Sequence, residues 1–498
     1  MALVLSLDLA TVLSIAALYL CSTLLLRRFW SPLSDIPGPF LASFTRLWHI
    51  IRIFAGDINT RSIEEHERHG PFVRIAHDEV SVCHPDAIRS VLLDPIPKAP
   101  WYKVLALPDS RFQTPMSTTD PKRRVELAKN VASAYTLSNV MKSETYINAM
   151  VELMLDRFDQ FSETQELVEF DKWFNYLAFD IGGEVVFSQR FGFLESGTDI
   201  GGAIANNRSL NAYIVAAGYF QWLHNLTLGN PLLSKLNLLP NNHVFDTAMA
   251  ALRRREANPD ARNDMVEHWK RTMREHPDRM TIIDFQAAAT GTIGAAADTV
   301  SAALQSFVYH MLRKPQHLDK LRAEIADERA QGRCNDPIVS FAHAKNMEYL
   351  QACIKESLRI FAPVPFGLAR VAPKGGLKIG DRFFPEGTKL SVNPWVIHHC
   401  KELFGPDAKE YNPDRWLGDK AKAIDKYFMP FGQGYNSCPG RHLATIELSK
   451  TIATLVRDYD FRQQDPSQTW KYVAYFTAVP YGWPCYISKR TDGLRVAQ

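Results

Sequence analysis

Phe431-Gly432-Gln433-Gly434-Tyr435-Asn436-Ser437-Cys438-Pro439-Gly440 runs directly into an amphipathic stretch, Arg441 to Val456. Three glycines and a proline therefore surround a single cysteine immediately before a helix. Glycine permits tight backbone conformations and lets a flat cofactor approach the chain closely. Backbone N–H groups around the sulfur, with the positive end of the helix, favour a thiolate over a thiol. A buried structural cysteine at a helix start is the plain alternative, and it does not ask for this glycine spacing.

Upstream of this loop, Lys355-Glu356-Ser357-Leu358-Arg359 places Glu356 and Arg359 on one helical face. Alone, such a pair reads as a solvated ion pair. About fifty residues further on comes Tyr411-Asn412-Pro413-Asp414-Arg415-Trp416. Thr281 to Lys314 holds no proline and spans ~50 Å if fully helical. Its middle, Ala287 to Thr299, is nearly stripped of bulk, so that another helix or a flat ring can come close. Asp298-Thr299 is a polar step in that apolar run, and buried polar groups need partners or a purpose. Lys122-Arg123-Arg124 opens another helix, and Arg370 closes Phe366-Gly367-Leu368-Ala369-Arg370. Such charges are normally solvated.

The 498 residues are 46% hydrophobic and 22% charged, as in a globular protein with a large core. A net charge of +3 without a Lys/Arg block gives no reason to expect nucleic acid. The seven cysteines are scattered and form no CxxC pair, so neither a disulfide framework nor a structural zinc site is indicated. Free thiols fit a reducing compartment. Leu9 to Leu26 carries no charge and Arg27-Arg28 follow at once, near the lower limit for crossing ~30 Å of hydrocarbon. The basic flank holds that end in the cytosol. No basic stretch precedes the run and no small-x-small site clearly ends it, which favours an uncleaved anchor over a signal peptide. Residues 1–30 are thus a membrane anchor, 31–55 a proline-rich hinge, and 56–498 one large domain. The sequons at Asn207 and Asn225 would then face the cytosol. Phe72–Ile75 and Glu79–Cys83 predict a hairpin, residues 122 to 360 are mainly helical, and strands return at Leu377–Ile379 and Lys389–Val392. The fold class is mainly α with a minor β portion and an N-terminal transmembrane helix.

In this order the stretches resemble the cytochrome P-450 family from end to end. The cysteine loop is similar to its haem signature, Phe-x-x-Gly-x-Arg-x-Cys-x-Gly, with Asn436 in place of the Arg. The resemblance implies Cys438 as the iron ligand of haem b, with Phe431 and Gly432 in the cofactor-binding loop. It implies a buried structural triad of Glu356, Arg359 and Arg415. The small-residue helix resembles the family's Ala-Gly-x-Asp-Thr-Thr segment, with Ala296 for its Gly and Val300 for its second Thr. Thr299 thereby inherits the hydroxyl that relays protons to bound oxygen, with Asp298 in the supply. By position, Arg370 and Arg124 inherit contacts to the haem propionates. Tyr349-Leu350-Gln351-Ala352, Phe404-Gly405-Pro406-Asp407-Ala408 and Gly434 to Cys438 resemble the fungal pisatin-demethylase-like group, which serves natural-product and detoxification pathways.

The implied activity is a monooxygenase that uses O₂ and NADPH-derived electrons, delivered by a separate NADPH–cytochrome P-450 reductase, to hydroxylate or otherwise oxidise a small apolar molecule. No Gly-rich dinucleotide fingerprint occurs in the chain, in agreement with a separate reductase. The implied place is the endoplasmic reticulum membrane, with one N-terminal span and a cytosolic catalytic domain. A haem-thiolate isomerase or dehydratase is one rival; it needs no proton relay, so Asp298-Thr299 counts against it. A non-enzymatic haem-binding protein is the other. Trp101, Tyr102, Leu105, Phe112, Tyr213, Ile214, Tyr219, Phe220, Trp222, Ala362 to Leu368 and Tyr475 to Val479 are expected to wall an apolar substrate pocket.

Overall fold

The computed structural model describes residues 9–236, 238, 243–258 and 262–495; residues 1–8 of the expected anchor lie outside these. Helix α1 (Leu9–Phe29) buries none of its residues and is long and apolar enough to cross a membrane. Arg27 and Arg28 fall in its last turn. Helix α2 (Leu47–Ala55) follows within the stretch read as hinge, and its Ile53 is fully buried. The expected hairpin is present as β1 (Phe72–Ala76) and β2 (Glu79–Val82). Arg74 of β1 donates to the Arg27 carbonyl at 2.8 Å, so the hairpin meets the foot of α1.

The helices of the body that bear on the site are α3 (Pro121–Val131), α4 (Phe170–Phe187), α5 (Ala203–Ala217), α6 (Gln221–Leu226), α7 (Ile282–Arg313), α8 (Glu348–Ile360) and α9 (Arg441–Asp458). The long helix α7 begins where its capping chemistry dictates. Thr281 Oγ1 accepts the Asp284 N–H at 3.2 Å, and the Asp284 carboxylate accepts the Thr281 N–H at 3.0 Å. This reciprocal pair satisfies two N–H groups that a helix start leaves without partners. The small residues of α7 serve packing as well as access. Gly182 of α4 lies so near that an added Cβ would touch the Ala296 Cβ at 3.7 Å.

After the hairpin β1–β2, the minor β portion continues with β3 (Arg370–Val371), the ribbon β4 (Leu377–Ile379) with β5 (Arg382–Phe384), and β6 (Lys389–Ser391). These give a four-stranded sheet of order β1-β2-β6-β3, in which β2 and β6 run parallel. Four further strands close the chain: β7 (Tyr459–Gln463), β8 (Lys471–Ala474), β9 (Ala478–Tyr481) and β10 (Cys485–Lys489). They pair as β7 with β10 and β8 with β9, both antiparallel. The sequence reading did not include them. Each has at most five residues, and β7 finds its partner beyond two intervening strands, where no hairpin turn signals it.

Candidate active site

The cysteine loop is built on close backbone approach. Gly434 has φ +60°, and a Cβ there would lie 2.7 Å from Leu93 Cα and 2.8 Å from the Leu92 carbonyl. Only glycine lets the loop settle against that segment. The Cys438 N–H donates to the Phe431 carbonyl at 2.8 Å, and Gly432 adopts φ +63° between them. Cys438 therefore sits at the closed end of a loop whose first two residues are Phe431 and Gly432. Its side chain has open surface, yet desolvation by the surrounding protein is the largest influence on its thiol and raises its pKa. Both statements hold for a sulfur that faces an enclosed hollow rather than the outer surface. N–H groups of Gly440 and Arg441, with the Arg441 charge, act in the opposite sense and favour the thiolate.

Helix α7 also presents an open stripe. Gly291, Ala295 and Thr299, spaced four apart on one stripe, keep open surface, whereas Ala289, Ala297 and Asp298 are buried. The Thr299 hydroxyl donates to the Ala295 carbonyl at 3.1 Å, which leaves its oxygen able to accept. Asp298 turns away from Thr299 toward α5, where Asn207 and Asn211 donate to its Oδ2 at 2.7 and 3.2 Å. Burial raises the pKa of this carboxyl against the lowering effect of those amides and of Arg208.

Three cations gather beside the loop. Tyr435 donates to the Pro121 carbonyl at 2.7 Å and lies 4.1 Å from the Arg124 guanidinium, so the loop brings Arg124 of α3 with it. Arg370 is buried, donates to the carbonyls of Leu368 and Ala369 and to the Tyr102 hydroxyl, and keeps an unpartnered Nε. Lys98 is also buried and donates to the carbonyls of Pro115 and Met116 at 2.5 and 2.9 Å. Burial, then the charges of Arg370 and Arg124, bring its pKa down to about 7. Among the described residues no carboxylate pairs with any of the three. Arg124 Nε and Asn436 Oδ1 are likewise buried without partners. Sequence reasoning singled out Arg124 and Arg370 but passed over Lys98. Its signal was a lone lysine in Pro97-Lys98-Ala99-Pro100-Trp101-Tyr102, a setting poor in solvating neighbours.

Behind the loop stands a closed polar network. Glu356 accepts from Arg359 Nε and Nη2 at 2.8 and 2.7 Å, from Arg415 Nε at 3.1 Å, from Trp416 at 2.9 Å and from the Asn412 N–H at 2.8 Å. Arg359 also donates to the carbonyls of His398, Ala408 and Glu410. The triad expected of Glu356, Arg359 and Arg415 is present.

Most of the expected wall residues do come together. Trp101, Tyr102, Leu105, Tyr213, Ile214, Tyr219, Phe366, Leu368 and Tyr475 belong to one apolar cluster. Three do not. Phe112 stacks edge-on against Phe245 outside that cluster. Phe220 and Trp222 lie on the outside of the molecule, Trp222 being 66% exposed. Aromatic content alone does not reveal which side of a short helix faces inward. A small cavity of about 90 Å³, lined by Arg46, Glu79, Trp101, Tyr219 and Phe366 among others, also adjoins the cluster. It is too small for a whole drug-sized ligand.

Comparison with known proteins bears on this arrangement. Residues 37–475 match the family model described as Cytochrome P450. The chain is 31% identical to a pisatin demethylase of Fusarium vanettenii over 89% of its own length and 86% of that protein. It is also 31% identical to the cytochrome P450 monooxygenase cicH of Emericella nidulans, over 88% and 90% of the two chains. With the cytochrome P450 monooxygenase hepC of Aspergillus oryzae it shares 30% identity over 93% and 94%.

Proposed function

The chain belongs to the cytochrome P450 family, and from that premise we propose a membrane-anchored monooxygenase in which Cys438 holds haem b through its sulfur. The observation that supports this best is a complementary pair of deficits. Cys438 faces a hollow under N–H groups suited to a thiolate, and beside it Lys98, Arg124 and Arg370 stand without an anion. Haem b offers an iron to the first and two propionates to the second. Bound there, the thiolate-ligated haem supplies oxygen activation and transfer of one oxygen atom to a substrate.

The chain's own residues supply the remainder. The N–H groups of Gly440 and Arg441 stabilise the sulfur's negative charge, and Phe431 and Gly432 shape the loop that carries it. Thr299 presents a hydroxyl to the hollow and hands protons inward, with Asp298 as the acid behind it. The apolar cluster around Trp101, Phe366 and Leu368 excludes water and orients a small apolar substrate. Electrons come from NADPH through a separate reductase, and fungal natural-product biosynthesis or detoxification is the setting.

Residues 1–30 anchor the protein in the endoplasmic reticulum membrane, 31–55 form the hinge, and 56–498 form a cytosolic catalytic domain. A second apolar surface supports this placement. Phe220, Trp222, Leu223 and Leu226 on and before α6 are exposed, as are Phe40, Leu47, Ile51 and Phe54 on and before α2. Tyr219 and His49 share a hydrogen bond of 3.0 Å that joins the two segments. Exposed apolar side chains gathered on two joined segments suit a bilayer surface.

The reading is tested by carbon monoxide binding to the reduced protein. Wild type is expected to show the red-shifted Soret band of a thiolate-ligated haem, Cys438→Ser to lose it, and single replacements of the other six cysteines to keep it. Retention of the band in Cys438→Ser would place the ligand elsewhere and end the proposal.

A further inference from the structure

We propose that Asn207 and Asn211 are positioning residues that hold the Asp298 carboxyl and set the pH at which it releases its proton. This rests on the reading of Asp298 as the acid behind Thr299. The two asparagines lie four residues apart on α5 and so share a face. Both are buried, both donate to the same Oδ2, and Oδ1 of Asp298 has no hydrogen-bond partner among the described residues. The sequon at Asn207 is accordingly closed to modification.

The choice of amides has a chemical sense. A buried carboxyl resists ionisation, and each donor to its charged form offsets that resistance. A lysine or arginine in the same place would hold the acid permanently ionised. Asparagine donates without a charge, so the acid remains able to take up a proton and give it back. The charge that reaches Asp298 from its surroundings is that of Arg208 on α5, which is itself turned to Asp171 of α4 at 4.0 Å. From α4 the neutral Asn175 also bears on the carboxyl. The proton affinity of Asp298 is thereby governed by burial, then by the charge of Arg208, and then by three amides, two of which belong to α5.

A plain inter-helix staple would use the same hydrogen bonds, so the test needs a readout that stapling does not move. The haem-loaded enzyme is titrated in the infrared, where the protonated-carboxyl band that disappears in Asp298→Asn is followed with pH. In parallel, NADPH oxidation is measured against pH with a cytochrome P450 reductase and no added substrate. In Asn207→Leu and in Asn211→Leu the band is expected to persist to higher pH, because a donor to the carboxylate is gone. The alkaline limb of NADPH oxidation should move the same way, and Asn207→Gln should restore both. If both leucine variants lose thermal stability while band and limb stay where they were, the asparagines are only a staple and the proposal fails. If the limb is unmoved in Asp298→Asn, the relay reading itself is overturned; a limb lost there but unmoved in both leucine variants overturns the asparagine assignment alone.

Discussion

Glu356 and Arg359 on one side of the cysteine loop contrast with Lys98, Arg124 and Arg370 on the other. The first group is fully buried and saturated. All five N–H donors of Arg359 find acceptors, two on Glu356 and three on backbone carbonyls. The second group is also largely buried, but its charges face one another and two of its three members keep an idle Nε. A charge withdrawn from water needs partners, and among the described residues these three have no carboxylate to meet that need. On the proposed reading, saturation goes with maintaining the fold, and mutual repulsion together with an idle donor goes with meeting the propionates; an idle Nε alone does not, since Arg74 and Arg382 also have one. The same contrast separates the two acids, since Glu356 accepts five donors while Asp298 keeps a bare oxygen.

The largest effect should come from the saturated side. Arg359→Ala leaves Glu356 buried with fewer donors and three carbonyls without theirs. Breaking one partner out of such a set costs about 3–5 kcal/mol, a large part of a domain's stability. The variant is expected to accumulate little folded protein, and supplying excess haem during expression should not rescue it. Recovery of soluble protein by haem would show that this network, too, acts through the ligand.

Arg370→Ala should behave in the opposite way. The fold should persist, because the residue removed faces two other cations and its hydrogen bonds go to the Tyr102 hydroxyl and to carbonyls of its own segment, not to a buried carboxylate. Haem should leave faster, by about ten- to a hundredfold, the value of one charged hydrogen bond. Transfer of haem to an apo-globin acceptor measures this directly. Equal release rates in wild type and Arg370→Ala would move Arg370 to the structural class.

What the sequence discloses follows from how local each signal is. Cys438 was legible because glycines, cysteine and helix start lie within ten residues of chain. The helix around Asp298-Thr299 was legible for the same reason, its cap at Thr281–Asp284 and its small residues being contiguous. Glu356, Arg359 and Arg415 needed the family's order to be joined, since Glu-x-x-Arg alone is commonplace. Lys98 was not legible: its meaning arises from Arg124 and Arg370, which reach it from two other elements. Asn207 and Asn211 escaped for the same reason, their partner lying about ninety residues away. Trp222 misled because its chemistry suits a pocket and a membrane surface equally well.

The smallest expected effect, and the sharpest probe of the contrast, is at Lys98. Its pKa in the folded chain is about 7, against 10.5 for an ordinary lysine, through burial and then the charges of Arg370 and Arg124. Between those two values the unfolded chain binds a proton that the folded chain has lost. Stability relative to a Lys98→Met variant, whose side chain stays apolar, should therefore rise with pH across that window in the haem-free protein. Below about pH 7 both states carry the charge, and the disadvantage of wild type should be constant and at its greatest. Propionates placed beside Lys98 would favour the charged form and bring the folded pKa back toward 10.5, so haem should flatten the slope. Denaturation midpoints from pH 6 to about pH 10, with and without haem, report the effect. A slope indifferent to haem would mean that Lys98 faces no propionate, and that its two carbonyl acceptors, Pro115 and Met116, are all the partners it was built to have.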